Sequence, residues 1–335
     1  MTIPAKLSCI AFALLLLASC ATSVPPWGAS PAAMQQVFPD SDFIARQGRG
    51  ATRDSAEANG SAAIAAFFNT EVVSRIEIAQ SHWEANGSAQ TVSRLESELF
   101  VQSQMQLAGV RHTHDAWFDR NSREWVTVAY INRAEAWEML LPRIRLEAQT
   151  LARLYEAAEA ERDPFRRALR FIAAQNHARS ADFQNAQNMG ELLSPARMNA
   201  EFAEARTLLA LLPRDLDDAR RNAPVFIDIP LDFESIVQSA FSRRFAELGF
   251  PVAANRNAAA AVCVVTIEEG RQQRELGVFY YPRVLAVVSS PAGTLLTFSA
   301  EGGRQAAVTP DVARRAAYQA LAERVIRDFS LAASF

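Results

Sequence analysis

The spacing of apolar positions changes character three times along the chain. Between Asp42 and Trp137 it predicts a short strand, a glycine turn, a long helix and then a hairpin. In "DFIARQGRGATRDSAEANGSAAIAAFFNTEVVSRI", Ala56, Ala63, Phe67, Val72 and Ile76 share one broad helical face, and Arg53, Asp54 and Glu57 fill the first turns. Glu77 to Trp83 reads as a strand, and Thr91 to about Leu107 as a second helix. "VRHTHDAWF" and "EWVTVAYI" alternate and are joined by Asp119-Arg120-Asn121-Ser122, the pattern of a hairpin with a short polar loop.

From Arg133 the period becomes helical. Trp137, Leu141, Ile144, Ala148, Leu151, Tyr155 and Ala158 form a coiled-coil-like seam, which Pro142 should kink or restart. "RDPF", Arg162 to Phe165, is a helix stop and restart. Leu169, Ile172, Ala173, Phe183 and Met189 predict a returning helix, and another runs from about Ala196 to Leu212, ending before Pro213. Then the class changes again. "APVFIDI" is a strand, "DFESIVQSAFSRRFAELGF" an amphipathic helix closed by Gly249, and "PVAANRNAAAAVCVVTIEE" one long strand or a strand pair. "VFYYPRVLAVVSS" and "TLLTFSAEGGR" flank Pro291-Ala292-Gly293 as a second hairpin. A threonine cap and a first-position proline open the last helix, "TPDVARRAAYQALAERVIRDF". The expected class is α+β. An N-terminal αβ module with a β-hairpin occupies 41–135, a helical hairpin or small bundle 136–222, and a two-layer α+β domain 223–335.

The start of the chain is read separately. Lys6 is the one charge before an apolar run of about thirteen residues ending at Ser19, short of the roughly 20 a membrane-crossing helix needs. A positive start, a short apolar segment and small residues at its end describe a secretory signal over 1–19. Leu17-Ala18-Ser19-Cys20 resembles the bacterial lipobox, in which the chain is cut between Ser19 and Cys20, the thiol is lipidated and the new amino terminus acylated. Several acyl chains on one residue give a lasting anchor. The plain alternative is an ordinary signal peptide that ends near a cysteine. Ala21, where an aspartate would argue for inner-membrane retention, points to an outer-membrane anchor facing the periplasm. Residues 20–40, rich in Pro, Ala, Ser and Gly, read as a flexible tether.

Processing leaves Cys263 as the one free thiol, which excludes a disulfide framework or a cysteine metal cluster; its setting, "AVCVVTI", is that of a buried hydrophobe. The formal charge of -3 offers no basic field for nucleic acid. No lysine follows Lys6, so a phosphate-loop lysine, a Schiff-base lysine and a Ser-x-x-Lys acyl enzyme are all excluded. "EANGSA" occurs at 57–62 and 84–89, but the flanks differ, and the match reads as coincidence.

"FIARQGRG", the helix ending in "EVVSRI", and "LAGVRHTHDAWFDRNSREWVTVAYINRAEAW" together resemble the LPP-twenty lipoprotein family and the related N-terminal module of the flagellar H-ring protein FlgT. The resemblance covers about 42–137, and "HTH" before Ala116 departs from its pattern. It implies a secreted, membrane-anchored, non-enzymatic envelope component without a cofactor, and it fixes no partner. The C-terminal strand and helix order is similar in topology to small envelope-assembly domains, including penicillin-binding-protein activators.

Four groups carry candidate chemistry. His112 and His114 alternate along a strand and, with Asp115 or Asp119, could hold zinc; two surface histidines are the plain reading. Arg46, Gly48, Arg49 and Gly50, ahead of a helix, suit an anion, or else the glycines form a tight turn. Asp215, Asp217 and Asp218 beside Arg214, Arg220 and Arg221 could separate carboxylate pKa values, though a polar linker ordinarily leaves such a run solvated. Trp117, Trp125, Tyr130 and Trp137 offer a glycan or peptide platform, with Trp125 or Tyr130 fitting a core role. There is no Gly-x-Ser-x-Gly, His-Glu-x-x-His or Cys-x-x-Cys. The expectation is a scaffold or assembly factor that is not an enzyme, held in the membrane through lipid at Cys20 and working by contact with envelope proteins. Binding of peptidoglycan or another envelope polymer is the alternative, and a hydrolytic enzyme finds no supporting constellation.

Overall fold

In a computed structural model of the chain, residues 24–81, 109–274 and 277–332 are described. Ser19, Cys20, the helix expected at 91–107 and the second "EANGSA" lie outside them. Contacts group the chain into two units, Met1–Glu147 with Ala181–Glu201, and Ala148–Ser180 with Phe202–Phe335. The helices expected as one bundle at 136–222 are thus shared between the units.

The first unit holds α1 (Pro31–Val37), β1 (Phe43–Gly50), α2 (Arg53–Ser81), β2 (Arg111–His112), β3 (Trp117–Asp119), β4 (Glu124–Asn132) and the start of α3 (Arg133–Ala160). The chain makes α4 (Pro164–Arg179) in the second unit and returns to the first for α5 (Ala181–Leu193) and α6 (Pro195–Glu201). In its sheet β4 is central, antiparallel to β1 on one side and to both β2 and β3 on the other.

Each face of this sheet is covered by a different part of the chain. On one, α2 buries Ala56, Gly60, Ile64 and Phe68, a stripe every fourth residue. The expected Ala63 and Phe67 lie half-buried beside it, because the true stripe is set by where glycine lets the helix come closest. On the other face Trp27, Phe38, Ala45, Val126 and Val128 form a cluster completed by Met34, Phe43, Trp117 and Tyr130. The stretch expected as a flexible tether is therefore folded from residue 24 on. A 3-10 turn at Pro26–Gly28 and α1, capped by Ser30 Oγ accepting from Ala33 N at 3.1 Å, lie on the sheet. Composition suggested a linker, but Trp27 and Phe38, 3% and 8% exposed, supply enough apolar surface to dock it.

Other boundaries also move. Glu77–Ser81 continue α2 instead of starting a strand. Pro142 sits inside α3 and Pro213 inside α7 without ending either helix. The expected returning helix breaks at Ser180 into α4 and α5, and the helix predicted at 196–212 breaks at Phe202 into α6 and α7 (Ala203–Arg221). The stop and restart at "RDPF" is as expected, with Asp163 capping α4 by accepting from Arg166 N at 2.9 Å.

The second unit adds β5 (Val225–Asp228), α8 (Ile236–Glu247), β6 (Ala261–Arg274), β7 (Gly277–Ser290), β8 (Gly293–Glu301), β9 (Gln305–Ala307) and α9 (Pro310–Ala332). The sheet order is β5-β6-β7-β8 with β9 also on β7; β5 and β6 are parallel and the rest antiparallel. Helices α8 and α9 cover one face, where the rings of Phe241, Phe245 and Phe298 each lie 5.3–5.9 Å from Phe329. Cys263, Val265, Ala286 and Val288 are fully buried beneath them. The class is α+β, as the order of periodicities implied.

Candidate functional site

Strand pleating separates the residues that sequence grouped as an anion site. Arg46, Gly48 and Gly50 point toward α2, while Arg49 points to the opposite face and reaches Asp119 at 3.8 Å. The Arg46 guanidinium lies 4.2 Å over the Phe67 ring and donates to its neighbour, the carbonyl of Ala45, at 2.8 Å. The glycines belong to a fully paired strand, not to a turn. A Cβ on Gly48 would stand 2.0 Å from the carbonyl oxygen of Ala56, and one on Gly50 2.1 Å from Ser55 Oγ. Their role is close approach of helix to strand. At the start of α2, Thr52 and Ser55 already satisfy each other's amides, at 3.0 and 3.1 Å.

The histidine pair is divided as well. His112 Nε2 lies 3.0 Å from the carbonyl oxygen of Glu57 and 3.0 Å from Ser61 Oγ; a carbonyl only accepts, so the ring nitrogen donates there and pins β2 to α2. His114 lies past the end of β2 and is exposed. Asp115 is taken by the Trp27 indole. Asp119 is held by Asn121 N, Ser122 Oγ and Arg49, which keep its carboxyl below the ordinary value, with the Asn121 amide foremost. Among the described residues no group of three or more His, Cys, Asp or Glu side chains is placed to hold a metal ion.

Trp117 pairs with Val126, so Trp125 stands opposite Phe118 on the other face of the sheet, and the two indoles form no common platform. Trp117 joins the Trp27 cluster with its indole nitrogen buried and unpartnered. The Trp125 and Phe118 rings lie 5.8 Å apart. Tyr130 packs on Phe38 at 5.0 Å, and Trp137 is 2% exposed. The aspartates sit on α7 instead of in a linker. Asp215 accepts from the Tyr155 hydroxyl, which burial and then this carboxylate push above the usual tyrosine value. Asp217 pairs with Arg220, and Asp218 with Arg214 and Arg221, as helical i,i+3 and i,i+4 partners.

One concavity in the first unit is marked by no motif in the sequence. A cleft of about 440 Å³ is lined by Asp42, Phe43, Arg133, Trp137, Ser194 and Arg197 among others. Arg133, the first residue of α3, donates from its guanidinium to the carbonyl of Leu192 and from its backbone to that of Asp42, the latter at 2.9 Å. Its Nε is buried without a partner. Burial draws the Arg133 guanidinium below the usual arginine value, with Asp40 opposing and Arg46 adding to the effect. Arg197 stands more exposed and pairs with Glu138 at 2.8 Å. Asn132 Oδ1 already accepts from the amides of Ala134 and Glu135, so the charges at the cleft are those of the Arg133, Arg197 and Asp42 side chains and not of the helix end. The arrangement suits a small carboxylate or phosphate, or a polar chain segment carrying one. Arg133 and Arg197 meet only through the return of the chain into α5 and α6; the sequence signal was limited to the "NRAEAW" helix start.

Among the described residues no helix is long and apolar enough to cross a membrane. No protein-family model matches the chain, and no curated protein matches it. Among solved structures, the secreted protein HP1454 from the human pathogen Helicobacter pylori aligns with a TM-score of 0.37 at 10% identity, covering 87% of this chain and 96% of that one. A likeness of that degree transfers neither fold nor function.

Proposed function

We propose that the chain is a lipid-anchored protein of the bacterial envelope, held at the outer membrane through Cys20 and facing the periplasm, that works by contact with other envelope proteins. The signal-like start, the lipobox and the resemblance of 42–137 to the LPP-twenty family support the location. The observation that carries the mode of action is the second sheet. Its helices cover one face, while the other presents Leu285, 47% exposed, and Tyr281, 41% exposed, along β7 beside the Arg283–Glu301 pair. Apolar and aromatic side chains ringed by charge are the make-up of protein contact surfaces.

Two experiments test this. A photocrosslinking residue at position 285 of the full lipidated protein should give discrete adducts with envelope proteins in cells, and Leu285→Glu should abolish the association. Absence of adducts from both 285 and 281 would overturn the contact reading. Palmitate labelling should disappear in Cys20→Ala, and unchanged labelling would remove the anchor.

A second reading draws on the arginine cleft. Two guanidinium groups and a serine hydroxyl beside Phe43 fit an acidic segment of peptidoglycan or another envelope polymer. Co-sedimentation with isolated sacculi that falls in Arg197→Glu and survives in Leu285→Glu would favour it over protein contact.

A further inference from the structure

We infer that the hairpin end of the first unit rests on the lipid surface, with the arginine cleft at the end of the sheet farthest from it. This placement rests on lipidation at Cys20. Val24 is four residues beyond that cysteine, and four extended residues reach about 14 Å at most. Val24 is also fixed to the fold. The turn behind it closes with Gly28 N donating to Pro25 O at 2.8 Å, and Trp27 is buried and bonded to Asp115. A Cβ on Gly28 would lie 2.9 Å from Trp117 Nε1 and 3.2 Å from a Val24 methyl, which sets Val24 beside β3. The folded body therefore joins its anchor beside Trp117, at the hairpin end of β3 and β4 and within about 14 Å of Cys20.

What that end presents suits a bilayer interface. Val24 is 50% and Phe118 38% exposed, and Arg120 and Arg123 stand exposed in the turn. Aromatic and aliphatic side chains enter the headgroup boundary, and arginine pairs with lipid phosphate. The neighbouring acids Asp115, Asp119 and Glu57 are engaged by Trp27, Arg49 and Arg53. Asp54 and Glu124 remain, so apolar contact and chain reach carry the placement more than net charge does.

The opposite end follows from strand length. From Glu124 at the turn to Asn132 at the cleft, β4 rises about 3.3 Å per residue, roughly 26 Å in all. The chain crosses the sheet once, from Trp27 to Phe38, before β1 starts near the cleft and runs back.

Phe118→Cys and Arg197→Cys, each labelled with an environment-sensitive fluorophore, would be compared in the full lipidated protein on phosphatidylethanolamine–phosphatidylglycerol vesicles. Cys263 is buried and Cys20 occupied, so each carries one label. Brominated lipids should quench the label at 118 and leave 197 bright. A flexible insert of about twenty residues before Val24 should abolish the quenching at 118. Val24→Cys provides a second reporter at the same end. Equal quenching at 118 and 197 on protein that floats with the vesicles overturns the placement alone; protein that does not float overturns the anchor and the placement with it.

Discussion

The Trp27 indole nitrogen donates to both carboxylate oxygens of Asp115 at 3.0 Å, joining residues 88 positions apart. This bond ties a segment with the composition of a linker to the loop between β2 and β3. Trp27→Ala should lower the stability of the first unit by about 3–5 kcal/mol through the cavity it leaves. Asp115→Ala should cost less, about 1–3 kcal/mol, by leaving the indole N–H unpaired. Urea unfolding of both single variants and the double variant would test the pair; strictly additive losses would mean that the bond contributes nothing.

Gly48→Ala should be among the most damaging single changes in the first unit. The added carbon would overlap the Ala56 carbonyl and stand 2.4 Å from Gly60 N, both backbone atoms of α2, so the helix must move as a body. A loss of about 3 kcal/mol or more is expected. Arg49→Ala, one position along with its side chain exposed, should lie within about 0.5 kcal/mol of the parent. Similar melting temperatures for the two variants would contradict the close packing of α2 on β1.

Cys263 should be chemically silent in the folded protein. Burial pushes its thiol up to about 12 from an ordinary value of 9.0. At neutral pH its reaction with a thiol reagent should proceed at the rate at which the second unit opens, and should accelerate in urea in step with unfolding. Fast labelling without denaturant would show the strand to be accessible.

Alkaline stability should carry the mark of Tyr318. Burial, then Glu269, which accepts from its hydroxyl at 3.1 Å, raises the phenol from 10.0 to about 12. The folded state holds this proton more tightly than the unfolded chain does. The resulting stability is complete below the unfolded value and is lost as pH rises from 10 toward 12. Cys263 acts with the same sign from 9.0 upward. Tyr318→Phe should therefore shrink the fall in stability between those pH values, read from urea midpoints, and an unchanged slope would reject the assignment.

Much of this fold was visible in one dimension because its elements are locally consistent. The "RDPF" restart, the long helix opening at Arg133, the strand "EWVTVAYI" and the order of elements after Ala223 each follow from spacing that a helix or strand must repeat, whereas "VRHTHDAWF" breaks into β2 and β3, and Leu141 and Ala148 of the expected seam are only half-buried. The candidate sites were less legible. Gly48 and Gly50 suggest a turn or an anion loop equally well, and only the distance to Ala56 distinguishes these from helix packing. His112 and His114 have the right alternation for one face, but β2 ends at His112. Trp117 and Trp125 look like neighbours, yet the register of β3 against β4 places them on opposite faces.

Residue type and short-range spacing were enough for the class, the order of most elements, the confinement of lysine to position 6 and the expectation of a processed start at Cys20. Tertiary structure alone decided that residues 24–38 belong to the fold and that Pro142 and Pro213 lie within helices. It alone brought Arg133 and Arg197 to one cleft. Those outcomes depend on what lies across a sheet or on a returning helix. Burial of Trp27 or a shared cavity is a property of distant segments meeting, which no local pattern encodes.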